Sequence, residues 1–153
     1  MKRRDVLIGS SALFVAALMG CAQSSDVPAT VATDAGLIAS GLAGAFKDIS
    51  AVPGAMMAAL TDLASAAQAL ADADTIESAQ PLVQRIEADV NAMVTAVGAL
   101  SLPANAASAL QAAQVLLVVI EAGVNMVVTA SGAREAMTPE QARLVLAAAA
   151  AKR

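Results

Sequence analysis

The chain lacks most of the residue types that carry chemistry in proteins. It contains no histidine, tryptophan or tyrosine, and its two aromatic residues are both phenylalanine. The absence of histidine removes the commonest proton-transfer group and metal ligand. The absence of tryptophan and tyrosine leaves no good platform on which sugars or bases could stack. These absences argue against an enzyme, and they point to no metal site and no cofactor.

Cysteine and charge are also scarce. Cys21 is the single cysteine, so no disulfide can form within the chain. The whole chain has 13 acidic and 9 basic residues, and from Cys21 onward 12 acidic and 6 basic residues remain, a formal charge of -6. Nucleic-acid binding depends on clustered lysine and arginine that displace counterions. The composition therefore predicts no nucleic-acid partner.

The first twenty residues have the layout of an export signal. Lys2, Arg3 and Arg4 precede an apolar stretch that covers residues 6–20 and ends at Cys21. Such a stretch is short for a transmembrane helix, and small residues precede the expected cleavage point. We therefore assign residues 1–20 to a signal peptide. An ordinary secretory signal and an uncleaved membrane anchor are the alternatives.

Residues Leu18, Met19, Gly20 and Cys21 resemble the lipobox of bacterial lipoproteins. Met19 departs from the pattern, because that position usually holds a smaller residue. The resemblance implies cleavage after Gly20, a diacylglyceryl group on the sulfur of Cys21 and a further acyl chain on the new amino terminus. Two or more acyl chains hold a protein stably at a membrane, whereas one does so only marginally. The membrane is therefore an expected partner, through Cys21.

Arg3 and Arg4, followed by Asp5, Val6 and Leu7, resemble a twin-arginine export signal. Lys2, Val6 and Ile8 differ from the residues usual in that signal, and a general secretion signal is the alternative. Both routes lead to the periplasmic face of an envelope membrane. Ala22 stands after the cysteine where aspartate would signal inner-membrane retention, so the resemblance favours the outer membrane over the inner one.

The remainder of the chain predicts an all-α fold. Alanine supplies 41 of the 153 residues, and leucine, valine and methionine recur at helical spacing. We interpret residues 21–32 as a lipidated flexible tether and residues 33–153 as an alanine-rich bundle. Short connections make sequential helices antiparallel neighbours. The predicted architecture is an up-and-down antiparallel bundle of four main helices with a short C-terminal helix.

The helix bounds follow from periodicity and from proline positions. The first helix should cover residues 33 or 34 to 50, with its glycines where another helix backbone comes close. The second should start at Pro53, and the third at Thr75 or Ser78; with Thr75 as the cap, Pro81 should kink it. The fourth should be the longest and the central one, from residues 101–103 to residues 129–131. Thr138 and Pro139 begin the last helix.

One polar line and one group of methionines are candidate binding residues. Gln114, Glu121 and Asn125 fall near one line along the fourth helix, as an exposed stripe or as a strip for a partner helix or a polar ligand group. The apolar part of the same helix, residues 115–130, has a membrane-spanning alternative. The methionines are soft and pack adaptably, so they suit copper weakly and an apolar ligand better. They are Met56, Met93 and Met126.

The predicted function is that of a non-catalytic, lipid-anchored envelope protein. Its helical surface would bind a protein partner or a second copy of the chain. The alternative is a carrier of an apolar small molecule, held in the bundle core between the three methionines.

Overall fold

The computed structural model describes residues 26–98, 100–126 and 137–152. This part of the chain is all-helical, as predicted, and contains no strand; Asp26 and Thr75 form an isolated antiparallel β-bridge. Its five helices are α1 (Ala29–Phe46), α2 (Gly54–Ala71), α3 (Ile76–Val97), α4 (Ala104–Gly123) and α5 (Pro139–Ala150).

Proline sets the start of three of these helices. Pro28, Pro53 and Pro103 occupy the N-cap positions of α1, α2 and α4, each with φ between -57° and -59° and an extended ψ. The predicted start of α1 is wrong by about four residues, because Pro28 has the extended N-cap conformation that lets the helix begin at Ala29. Residues 29–32 of the predicted tether therefore belong to α1, and Val31 is buried in the core.

Helix α3 starts at the earlier of its two predicted caps. The hydroxyl of Thr75 accepts a hydrogen bond from the backbone N–H of Ser78, and the hydroxyl of Ser78 accepts one from the N–H of Thr75. Pro81 consequently lies inside the helix, on its exposed side. The buried face of α3 runs from Ala79 to Met93 at steps of three and four residues, whereas Leu100 lies beyond the helix and is exposed.

Helices α1 and α4 form the centre of the fold. Helix α1 packs against α2, α4 and α5, and α4 packs against α1, α3 and α5. Each of the two buries ten residues. Helix α4 is central as predicted, but it is not the longest helix of the described part, because it ends at Gly123 while α3 spans 22 residues. Residues 127–131 of its predicted end lie outside the described residues.

Two glycines let α1 and α5 approach closely. A Cβ atom built on Gly41 would lie 2.6 Å from Cδ2 and 3.0 Å from Cα of Leu146, and one built on Gly44 would collide with the backbone carbonyl oxygen of Ala149. The expectation that the α1 glycines face another helix backbone is confirmed at these two positions. It is wrong at Gly36, which is exposed and has nothing within 4 Å of the built Cβ.

Two of the five helices in the described part are long and apolar enough to cross a membrane by length and composition. They are α1 and α4, and about half of each, 50% and 56%, is buried inside the protein. Core helices of bundles show the same combination of length and apolar character. The bounds of α4 do not fit the membrane-spanning alternative, since that alternative requires a helix over residues 115–130 and α4 ends at Gly123.

Candidate functional site

The three predicted strip residues do not form one continuous polar surface. Gln114 is half-buried, Glu121 is fully buried and Asn125 is exposed. Gln114 and Glu121 both lie on α4, about 10 Å apart along its axis. Asn125 lies beyond the end of that helix. Glu121 therefore belongs to the core, and an exposed stripe along α4 is not what the structure shows.

Asn125 terminates α4 through its backbone. Its φ of 57° is left-handed, its N–H donates to the carbonyl of Ala122, and the N–H of Met126 donates to the carbonyl of Glu121. This pair of bonds is the Schellman pattern, in which asparagine or glycine follows the last helical turn. The amide of Gln80, on α3, donates to the Val124 carbonyl at 3.0 Å and satisfies a further acceptor at this helix end.

A buried ion pair that sequence reasoning missed joins α1 to α5. Nε and Nη2 of Arg143 donate to the two carboxylate oxygens of Asp34, each at 2.8 Å. Asp34 is 1% exposed, while the Arg143 side chain is 34% exposed. The hydrogen bond to Asp34 raises the pKa of Arg143 above its usual range. Arg143 is therefore held in its charged form, and the fork geometry of the two hydrogen bonds fixes how α5 lies on α1.

Asp89 is a second carboxylate in an unfavourable setting. It lies half-buried on α3, and its Oδ2 atom is buried without a hydrogen-bond partner. Burial raises the pKa of Asp89, the charge of Asp62 raises it further, and the charge of Arg85 lowers it. Asp62, on α2, is thus a like charge near enough to act on Asp89, and coupled carboxylates are what an acid/base pair requires. Asp62 is exposed, however, and the described residues contain no group of three or more potential metal ligands.

A surface groove lies where α1 ends and α2 begins. Its volume is about 770 Å³, within the range of small-molecule sites. Ile49, Ser50 and Val52, from the segment between the two helices, are part of its lining. Among its lining residues one is charged, two are hydroxyl residues and the others are apolar: Ala43, Phe46, Lys47, Ile49, Ser50, Val52, Met57, Leu60, Thr61 and Ala64. The groove is therefore an apolar site with a single cation.

A smaller apolar cleft lies on α5. Met137, Gln141, Leu144 and Val145 line it, and its volume is about 380 Å³. Leu144 is 72% exposed, the highest exposure among the large apolar side chains of the described part. Leu144 is next to Arg143, so the cleft is on the helix that the ion pair with Asp34 holds in place.

The three methionines of the predicted carrier site do not meet around the groove. Met56 and Met93 are 1% and 0% exposed, and Met126 is half-buried at the end of α4. Met57, which is 54% exposed, lines the groove instead of Met56. The predicted lipidation residue Cys21 and the signal residues Arg3 and Arg4 lie outside the described residues.

Comparison of the chain with protein-family models, with curated proteins and with solved structures found no match.

Proposed function

We propose that this protein is a non-catalytic, lipid-anchored module of a bacterial envelope that binds a protein partner through α5. The exposed apolar side chain of Leu144, within the cleft formed with Met137 and Val145, supports this proposal. Buried apolar anchors in pockets contribute most of the binding energy at protein interfaces. The cleft is small, so a partner would have to contact surrounding surface as well.

Several polar groups of the described part have structural explanations, which favours binding over catalysis. Asp34 and Arg143 bond to each other, Gln80 bonds to the end of α4, and Asn125 supplies a left-handed backbone position. General acid/base catalysis without histidine needs carboxylates that face one another with pKa values pushed apart. Asp89 has the raised pKa, but burial is the larger cause and its neighbour Asp62 is exposed.

We extend the proposal to the membrane anchor, to the location in the envelope and to the arrangement of the helices. The lipobox-like residues 18–21 support acylation of Cys21 at the periplasmic face, with the outer membrane favoured. Residues 1–20 would be removed, and the segment before α1 would link lipid to bundle.

Helix contacts in the order α1, α2, α3, α4 and back to α1 support an up-and-down antiparallel bundle with α5 against α1 and α4.

The partner-binding proposal is tested by site-specific photocrosslinking in native membranes. A photoreactive residue at position 144 should capture one defined protein, and Leu144→Ser should abolish co-purification of that protein. The matched control is a photoreactive residue at Ala88, which is exposed on α3. Equal capture at positions 88 and 144, or unchanged co-purification of the Leu144→Ser variant, would contradict the proposal.

The anchor is tested separately by mass spectrometry of the native protein. We expect an amino-terminal Cys21 that carries acyl chains, and a Cys21→Ser variant that is released from the membrane or left unprocessed. Intact residues 1–20 on protein purified from membranes would contradict this part of the proposal without affecting the proposed surface on α5.

A further inference from the structure

The groove between α1 and α2 continues into a second cleft. The second cleft has a volume of about 260 Å³ and follows the two helices away from their connection. Ala43 and Ala64 line both clefts, so the two form one crevice. From Phe46 back to Ala32, the crevice extends about 21 Å along α1. The crevice is wide at one end and narrow at the other, so its shape suits an elongated ligand.

Small side chains make the narrow part of the crevice. Its walls are almost entirely alanine with one glycine, and the polar exceptions are Ser40 and Gln68. Ser40 donates its hydroxyl to the carbonyl of Gly36 at 2.8 Å, so that donor is satisfied within α1. A surface of this kind offers dispersion contact to a narrow apolar chain and few hydrogen bonds.

The wide end carries a positive charge in an acidic protein. Lys47 is the one charged residue among the groove-lining residues, although the chain has a net charge of -4. Its ammonium donates one long hydrogen bond, 3.5 Å, to the carbonyl of Lys152. An ammonium group has three donors, so two remain for another acceptor. No described carboxylate forms an ion pair with Lys47.

We propose that this crevice binds a single-chain, long-chain carboxylate. Its alkyl chain lies between α1 and α2, and its carboxylate meets the ammonium of Lys47. One cation matches one monoanionic head group, and a crevice walled by alanine has room for one narrow chain. Exposed Met57 adapts to the chain at the wide end, as flexible thioether side chains do. This site is separate from the cleft at Leu144 and does not depend on the protein partner proposed there.

The test uses the full chain in nanodiscs of phosphatidylcholine and a dodecanoate that carries a photoreactive diazirine on its chain. We expect labelling confined to residues 32–71, which contain the lining of both clefts, and competition by unlabelled dodecanoate. Affinity should rise with chain length from decanoate to tetradecanoate, by at most about fourfold per methylene. Labelling spread over the whole surface, or affinity independent of chain length, would overturn the proposal.

Variants separate the head-group contact from the chain contact. Lys47→Gln should weaken binding about threefold, the size expected of an exposed charge pair, while Arg85→Gln on α3 should leave it unchanged. Ala43→Leu and Ala64→Leu fill the crevice from exposed wall positions and should abolish labelling with the helical circular dichroism unchanged. Equal effects of Lys47→Gln and Arg85→Gln would refute the proposed head-group site.

Competitors identify the class of occupant. Dodecyltrimethylammonium has the same chain with the opposite head charge and should compete poorly, as should a diacyl phospholipid because of its second chain. Equal competition by either compound would show that the crevice does not select a single-chain carboxylate. Capture of a protein or a second copy of the chain by a photoreactive residue at Met57 would reassign the groove to protein docking.

Discussion

Arg143 reaches Asp34 across 109 residues of sequence and binds both of its carboxylate oxygens. Asp34 lies on the same face of α1 as Ile38 and Leu42, which are both 0% exposed. A carboxylate on such a face is destabilising unless a charged partner compensates for its lost hydration. Arg143 provides that partner from α5, a helix of 12 residues that would be marginal in isolation. The pair therefore specifies where the last helix docks.

Substitution of Arg143 and substitution of Asp34 should lower the free energy of unfolding by different amounts. Arg143→Met leaves a buried, unpaired carboxylate and should lower the free energy of unfolding by about 2 kcal/mol, less than for a fully buried pair because water reaches Arg143. Asp34→Ala leaves an arginine that can turn to solvent and should cost less than Arg143→Met. Urea unfolding at pH 7 measures both. A larger loss of unfolding free energy from Asp34→Ala than from Arg143→Met would contradict the argument that the buried carboxylate of Asp34 needs a charged partner.

A double substitution provides the control for this pair. Asp34→Leu combined with Arg143→Met replaces the ion pair by apolar side chains and should be near neutral, as found for other buried pairs. With Asp34→Leu as the second single variant, the coupling free energy from the full cycle should be about 1 to 3 kcal/mol. Additive costs would show that the two residues act independently.

The glycines of α1 give a matched pair of substitutions. Gly44→Ala places a methyl group against the Ala149 carbonyl, a backbone atom that cannot rotate away, and should cost about 1 to 3 kcal/mol. Gly36→Ala adds a methyl group in open space within a helix and should stabilise by about 0.5 to 1 kcal/mol. Thermal unfolding measures the change in stability for both variants. Equal effects would mean that α1 and α5 do not approach as closely at Gly44 as the structure shows.

Helical periodicity predicted much of this fold. The steps of three and four residues from Ala79 to Met93 mark the buried face of α3, and the breaks at Pro53, Pro103 and Thr138 mark helix starts. These features are local, because they depend on residues within one or two turns. The close approach that Gly41 and Gly44 allow was also predictable, since glycine is costly in a helix interior without such a reason.

The long-range features were not predictable from periodicity. Asp34 lies four residues before Ile38, so its place on the buried face could have been read from the sequence. Its pairing with Arg143 could not, because no local pattern connects positions 109 residues apart. The polar line of Gln114, Glu121 and Asn125 was misleading for another reason. Gly123 and Asn125 signal a helix end, so a regular helix extended through them assigns Asn125 to a helix face although this residue lies beyond the helix.

Two substitutions of Asn125 distinguish the role of its backbone conformation at the end of α4 from the role of its side chain. Asn125→Gly keeps the left-handed φ without strain and should change stability by at most a few tenths of a kcal/mol, whereas Asn125→Val should cost about 1 to 2 kcal/mol. Chemical denaturation measures the difference. Partner binding should survive Asn125→Gly; loss of binding with stability intact would assign the side chain a direct contact.

Asp89 makes stability depend on pH in the direction opposite to that of most carboxylates. Its pKa in the folded protein is raised above the ordinary 3.8, chiefly by burial and then by the charge of Asp62. Between 3.8 and the raised pKa, the folded state binds more protons than the unfolded state, so stability falls as pH rises through that interval. Above it, ionised Asp89 remains a cost to the folded state. Protonation on acidification should therefore relieve this cost.

Removal of the carboxylate should relieve that cost at neutral pH. Asp89→Ala removes the buried oxygen that has no hydrogen-bond partner and should raise the free energy of unfolding by about 1 kcal/mol at pH 7. The gain should shrink as pH falls through the raised pKa of Asp89, because the carboxyl in the parent protein then becomes protonated. Asp62→Asn should lower the pKa of Asp89 in an NMR titration, since it removes the like charge. Asp48→Ala, at an exposed position, is the control and should change stability by less than about 0.5 kcal/mol. A gain from Asp89→Ala that does not vary with pH would mean that packing, and not the buried charge, determines the effect.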